Sequence, residues 1–211
     1  MILDIHTHKP APYSEGVVSV TDLSLPLPEG QACSVGIHPW NTAQPVTEEE
    51  FRRLEALAAM PQVAAIGECG VDLAKGGPMF RQLQILKRQI DLSERLGKPL
   101  ILHCVEGADI ILGLKRDLQP AQTWVVHGFR GKPELARQLT DKGIMLSFGE
   151  KFNPDTVMSM PGNMLLAETD ESVLTIREII GALSVAANRD LTPEIAANTA
   201  SVLADLNPEK F

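Results

Sequence analysis

The stretch PMFRQLQILKRQIDLSERLGKPLILH, residues 78–103, decides the fold class. Met79, Leu83, Leu86, Ile90 and Leu92 recur at roughly helical spacing, which predicts a helix over Pro78–Leu96. Gly97-Lys98-Pro99 then supplies a stop signal, Gly followed by Pro. Leu100–His103 follows as an apolar strand run of the kind buried on both faces of a parallel sheet. A helix returning directly into a buried strand is half of a β/α repeat.

The same alternation extends in both directions. Further strands are expected at Ile2–His6, Val17–Val20, Ala32–Ile37, Val63–Gly67, Thr123–His127, Ile144–Phe148 and Met164–Glu168. Further helices are expected at Glu48–Met60 with Thr47 as cap, Ala108–Leu118, Pro133–Lys142, Ser172–Ala187 and Pro193–Leu206. Eight strands joined by crossovers predict an α/β protein, a (β/α)8 barrel, and residues 1–211 read as a single barrel domain. The alternative is an open doubly wound sheet; the strand count favours the barrel. Between His8 and Val17 there are only eight residues, two of them proline, and Val20–Ala32 is broken by Pro26 and Pro28. A parallel crossover normally needs a dozen or more residues. The barrel is therefore expected to be shortened, with one or two outer helices missing near the N-terminus.

Composition narrows the function. A formal charge of −8, from 19 Lys+Arg and 27 Asp+Glu, excludes nucleic-acid binding through a general positive field. No apolar run reaches the roughly 18 residues of a membrane span, and Met1–His6 reads as no signal peptide. Three cysteines, Cys33, Cys69 and Cys104, suit a reduced, cytoplasmic chain. Cys69 and Cys104 neighbour Glu68 and His103, so alternation turns their thiols away from the same face.

The polar residues fall where the strands end: His6 and His8 after the first, Glu68 after the fourth, His103 after the fifth, His127 after the sixth and Asp170 past the eighth. In a parallel barrel these ends share one rim. A single strand-end His is ordinarily a packed rim residue, and Asp170 alone reads as a helix cap; six such residues on one rim read as a metal site. Imidazole and carboxylate together suit one or two divalent ions, Zn, Mn, Fe, Ni or, with enough carboxylate, Mg. Two ions need a shared carboxylate, and Glu68 is the most central. His38 also follows a strand.

Several segments resemble, in order, the motifs of TatD-type metal-dependent deoxyribonucleases of the amidohydrolase superfamily. They are Asp4-Ile5-His6-Thr7-His8, Gly36-Ile37-His38-Pro39, Ile66-Gly67-Glu68-Cys69-Gly70-Val71-Asp72, Leu102-His103-Cys104, His127-Gly128-Phe129-Arg130-Gly131, Leu146-Ser147-Phe148-Gly149 and Glu168-Thr169-Asp170. The resemblance implies a TIM-like barrel, a one- or two-metal centre and phosphodiester hydrolysis, with DNA 3′ ends or single strands as substrate. It implies His6, His8, Glu68 and Asp170 around one ion, Glu68, His103 and His127 around a second, and His38 near the substrate phosphate.

The chain departs from the family pattern at three places. Val105 stands where the family has arginine, His127-Gly128-Phe129-Arg130 replaces the commoner His-Cys-Phe-Ser, and Glu171-Ser172-Val173-Leu174 replaces Pro-Tyr-Leu. These changes spare the candidate ligands. Arg130, Lys132 and Lys9 are candidate phosphate contacts, and Trp40 a candidate stacking surface for a base. Bound ions would acidify water and clamp phosphate oxygens, with Asp170 and Glu68 as the catalytic carboxylates. The expected activity is thus metal-dependent phosphodiester hydrolysis by a monomer or homodimer. Hydrolysis of an ester, lactone or amide on the same scaffold, and non-catalytic binding, are the alternatives.

Overall fold

In the computed structural model, residues 2–9, 15–204 and 206 are described. Eight strands hydrogen-bond in chain order into a closed, all-parallel barrel. They are β1 (Asp4–Thr7), β2 (Gly16–Val20), β3 (Cys33–Val35), β4 (Val63–Asp72), β5 (Leu100–Val105), β6 (Trp124–Val126), β7 (Ile144–Phe148) and β8 (Leu165–Ala167). The helices are α1 (Glu48–Ala58), α2 (Met79–Leu96), α3 (Ala108–Leu118), α4 (Pro133–Thr140), α5 (Pro154–Ser159), α6 (Ile176–Ala187) and α7 (Thr192–Val202). Among the described residues no helix joins β1 to β2 or β2 to β3, as the short and proline-broken links predict. Pro10 and Pro12 of the first link lie outside the described residues, as do several residues after Ala204. No described helix is long and apolar enough to cross a membrane.

Local chemistry sets the helix ends. Thr47 Oγ1 accepts from Glu50 N–H while Glu50 Oε2 accepts from Thr47 N–H, a reciprocal capping box that starts α1. Thr175 and Glu178 do the same for α6. This moves the start of that helix from the expected Ser172 to Ile176, so Asp170 is not its cap. The α2 helix closes on Gly97 in the left-handed conformation (φ 67°), as the Gly-Lys-Pro signal requires. Other boundaries differ by a few residues. The largest differences are β4, which runs on to Asp72, and α5, a six-residue helix not foreseen.

The core has two layers. A large cluster, including Val35, Leu54, Ile66, Leu86, Leu102, Trp124, Phe148 and Leu183, packs strands against helices. A smaller one takes a residue from or beside each strand: Ile5, Val17, Ala32, Ala65, Ile101, Val125, Met145 and Leu166. These fill the barrel interior, with Val202 and Leu203 of the α7 end joining them. Strand alternation places residues two further along on the same face. Ile101, Val125 and Leu166 therefore predict inward positions for His103, His127 and Glu168.

His6, next to Ile5, and Glu68, three past Ala65, would in regular strands point outward. Both strands shift register in that interval. Asp4 and Thr7 pair with Gly16 and Val18, and Ile66 and Cys69 pair with Leu100 and Leu102, so each has one extra residue. Such bulges re-aim side chains. Here they turn His6 and Glu68 inward.

Candidate metal centre

The four candidate histidines converge on Glu68, which is 3% exposed, and Asp170 joins them through His6 and His8. Its Oε2 lies 3.5 Å from His6 Nε2 and 3.4 Å from His8 Nε2. Its Oε1 lies 2.8 Å from His103 Nδ1, 2.8 Å from His127 Nε2 and 3.0 Å from His38 Nε2. Asp170 Oδ1 stands 3.5 Å from His8 Nε2 and 3.9 Å from His6 Nε2. Backbone bonds tie the two ends of this cluster, from Asp170 N–H to the His6 carbonyl and from His8 N–H to the Asp170 carbonyl. Two groups come close enough to share a cation: His6, His8 and Glu68, and His38, Glu68 and His103.

Hydrogen-bond partners separate the histidines. His38 Nδ1 accepts from the Trp40 backbone N–H at 3.1 Å. In the neutral ring its proton is therefore on Nε2, and it meets Glu68 as a donor, not as a metal ligand. His103 is the reverse. Its Nε2 lies 3.0 Å from Asp72 Oδ2, so it donates there and turns an Nδ1 lone pair toward Glu68. His127 Nδ1 faces Glu168 Oε1 at 3.4 Å, leaving Nε2 bare toward Glu68. Two imidazole lone pairs and a carboxylate oxygen at 2.8 Å repel one another unless positive charge lies among them.

The His6 ring makes the same demand. It is fully buried, and neither ring nitrogen has a hydrogen-bond partner among the described residues. An unmade bond at a buried polar atom costs about 1–3 kcal/mol. A cation facing its lone pair answers that cost, so this donor set of imidazoles and carboxylates fits a divalent ion of the Zn or Mn type.

Electrostatics follow from the packing. Burial drives the His6 pKa well below its ordinary value, with His127 adding to the effect, which keeps the lone pair free. Burial opposes ionisation of Glu68, but the imidazoles of His103, His127, His38 and His8 gathered on its two oxygens outweigh it and hold the carboxyl well below the usual range. His127 is pushed well above its ordinary value despite burial, because Glu168 and Glu68 attract positive charge to the ring, a charge that a cation at Nε2 would supply in place of a proton. His8 is raised by its bond to Glu68. Burial, aided by Glu168, raises Asp170. Burial opposes ionisation of Asp72, but bonds from Trp40, Lys75, His103 and Ala74 hold it down at about 2.

Three acidic residues belong to the site without having been picked out as participants. They are Asp72 and Glu168, each behind a histidine, and Asp4, whose buried carboxyl accepts from Thr169 N–H, Thr169 Oγ1 and His6 N–H. Burial raises Asp4 to about 7. Asp72 and Glu168 lay in quoted motifs, and Glu168 was visible as the residue two past Leu166. The Cys69 thiol points instead to the Ile101 carbonyl.

The mouth of the site is a cavity of about 220 Å³ that includes His8, His38, Trp40, Asn41 and Asp170 in its lining. Trp40 is 48% exposed. Arg130 is not in this cavity. It lines an adjoining groove of about 320 Å³ with Lys151, and Asp170 borders both spaces. Lys9 Nζ bonds the Ser172 carbonyl, and Lys132 precedes α4.

The family model for TatD related DNase matches residues 9–211. The chain is 32% identical over 151 residues to the uncharacterized metal-dependent hydrolase YabD of Bacillus subtilis, covering 67% of this chain and 59% of YabD. It is 30% identical over 161 residues to the 3′-5′ ssDNA/RNA exonuclease TatD of Cronobacter sakazakii, covering 72% and 61%. The chain thus spans about three fifths of the length of these relatives. The crystal structure of YjjV, a TatD homologue from Escherichia coli, superposes with a TM-score of 0.81 at 23% identity, over 97% of this chain and 99% of that one.

Proposed function

The chain belongs to the TatD related DNase family, and on that premise we propose that it acts as a metal-dependent hydrolase of phosphodiester bonds. Single-stranded or 3′-terminal DNA is the proposed substrate, and residues 1–211 are the acting barrel domain. The observation that carries this reading is Glu68, whose two oxygens face two different sets of imidazoles, as a carboxylate shared by two cations would. In this reading His6, His8, Glu68 and Asp170 hold one ion, and Glu68, His103 and His127 hold the other.

Ions so held supply positive charge to phosphate oxygens and acidify water. The chain's own residues do the rest. Asp170, raised in pKa and about one-third exposed on its side chain, borders the cavity and takes the proton of the attacking water. His38, a donor at Nε2, offers a hydrogen bond to a phosphate oxygen. Trp40 presents an indole face to a base. Arg130 meets a phosphate next to the scissile one, from the adjoining groove. Glu68 remains ionised, and Glu68 and Glu168 orient the histidines.

A panel assay with added Zn²⁺ or Mn²⁺ tests this, using single-stranded DNA, a bis-aryl phosphodiester and simple esters, with Asp170→Asn as the blank. Cleavage of the phosphodiesters is expected, with Asp170→Asn slower by about 10²–10⁴-fold. Wild-type rates in Asp170→Asn would remove that residue from the mechanism. Turnover of simple esters alone would favour the second reading, a non-nucleic-acid hydrolase. Val105, in place of a family arginine, is the feature that favours it.

A further inference from the structure

One carboxylate oxygen, Asp72 Oδ2, receives two donors that belong to different parts of the site. The Trp40 indole Nε1–H reaches it at 2.6 Å, and His103 Nε2 lies 3.0 Å from it. The other oxygen, Oδ1, accepts the backbone N–H groups of Ala74 and Lys75, both at 2.8 Å. Gln82 Oε1 accepts the Asp72 backbone N–H at 2.8 Å, holding the residue from the α2 side. Asp72 is 2% exposed although it ends a strand at the rim. Every bond to this carboxylate is a donation to it.

The consequences run both ways from Oδ2. Holding the His103 proton on Nε2 leaves Nδ1 as the bare nitrogen toward Glu68. Holding the indole N–H fixes the plane of a half-exposed ring that has only two rotatable bonds. The ring stands edge-on to His103, centroids 5.9 Å apart, and edge-on to His38 at 4.8 Å. The turn held by Oδ1 sets Lys75, whose Nζ lies 4.7 Å from the indole centroid. A tether at the N–H edge is stronger than burial needs, since an indole at an exposed rim finds water for its proton.

We propose that Asp72 is a positioning residue that registers the substrate-facing indole of Trp40 against the metal-binding nitrogen of His103. The proposal rests on the reading above in taking His103 as a ligand and a nucleobase as the group on Trp40. Its physical content is coupling. An imidazole bound to a cation is a stronger N–H donor, so an ion at His103 draws on the oxygen that also holds Trp40. Occupancy of that ion position and orientation of the indole are then linked, because the two donors share one acceptor.

The chain has two tryptophans, so a Trp124→Phe background leaves Trp40 as the single indole emitter. Zn²⁺ titration of this protein, stripped with chelator and checked by circular dichroism, is expected to change Trp40 emission as the His103 position fills. Asp72→Asn in this background is expected to weaken that position by about 10–100-fold, as loss of an outer-shell partner does. The same variant abolishes the emission change and leaves the His6–His8 position unaltered. Trp40→Phe, read by chelator competition, shifts the Zn²⁺ affinity of the His103 position, because the coupling is reciprocal, keeps that of the His6–His8 position within twofold, and raises the KM for an oligonucleotide more than it lowers kcat. Zn²⁺ binding at both positions with a silent Trp40 overturns the proposal without any variant at Asp72. A folded Asp72→Asn with unchanged Zn²⁺ affinities overturns it too. Absence of Zn²⁺ binding overturns the metal reading beneath it. Because emission and affinity need no turnover, failure to cleave DNA is a separate result.

Discussion

His6 Nε2 faces Glu68 Oε2 at 3.5 Å in a place where the imidazole is wholly buried and neither of its nitrogens is hydrogen-bonded. The contact is too long for a good hydrogen bond and the right kind for two ligands of one cation. Ion binding should therefore stabilise the fold. At a hundred times Kd, a ligand specific for the native state contributes about 2.7 kcal/mol, or about 5–11 °C in Tm for a chain of this size. Differential scanning calorimetry of chelator-stripped protein with and without Zn²⁺ checks this. His6→Ala should lose most of the shift; an unchanged Tm in the unmodified chain would remove the metal centre.

Gly70 has φ +140°, and a Cβ there would lie 2.0 Å from the His103 carbonyl oxygen. Gly70 pairs with His103 in the β4–β5 register, so the strands must separate to admit a methyl group. Gly70→Ala should cost about 3 kcal/mol from strain and overpacking together. Urea denaturation reads it as a lower midpoint with the slope unchanged. A cost within the scatter of surface substitutions would sink the close-approach argument.

The α6 capping box gives a milder test. Thr175→Ala removes the acceptor for Glu178 N–H and should cost about 1 kcal/mol. Glu178, its partner, has a carboxyl held below the ordinary value by Thr175. A depressed native pKa gives stability that is full above the unfolded value, about 4.3, and lost as pH falls through the native one. Protection factors of the first-turn amides of α6 should accordingly fall on acidification in the native chain, and fall less in Thr175→Ala, which loses the hydroxyl but keeps the backbone N–H that Glu178 also accepts.

Arg130 has no ion pair or hydrogen bond among the described residues, although most arginines of this acidic chain do. It lines the groove with Lys151. If it meets a phosphate next to the scissile one, Arg130→Gln should raise KM for oligonucleotides but not for a bis-aryl phosphodiester. The salt dependence of single-strand binding should fall by about 0.7 in slope. Equal effects on both substrates would place the residue elsewhere.

Much of this was legible in the sequence for identifiable reasons. Buried parallel strands leave unbroken apolar runs, such as Leu100-Ile101-Leu102, and the polar residues that follow them stand out at the rim. What did not show was the register. The bulges in β1 and β4 turn His6 and Glu68 inward, and a bulge is defined by its partner strand, so no local pattern carries it. Asp72 and Glu168 were passed over for a related reason. An acid after an apolar run reads as the return to solvent, and only the neighbouring strand's histidine reveals a buried hydrogen bond. The α5 helix, at six residues, is too short for a periodic signal.

The seam where the barrel closes has a meaning for how the molecule comes into being. β1 meets β8 through one registered pair, Asp4 with Ala167, reinforced by a bridge from Thr7 to Asp170 and by Thr169 donating to Asp4 across 165 residues of chain. Contacts between segments so far apart in sequence are late to form, because the loop between them must first be brought together. On the ribosome, then, the first strand has no neighbour on one side until most of the chain has been made. The candidate ligands straddle that seam, with His6 and His8 on one bank and Asp170 on the other. An ion captured there would act as a clasp on a ring that has just closed.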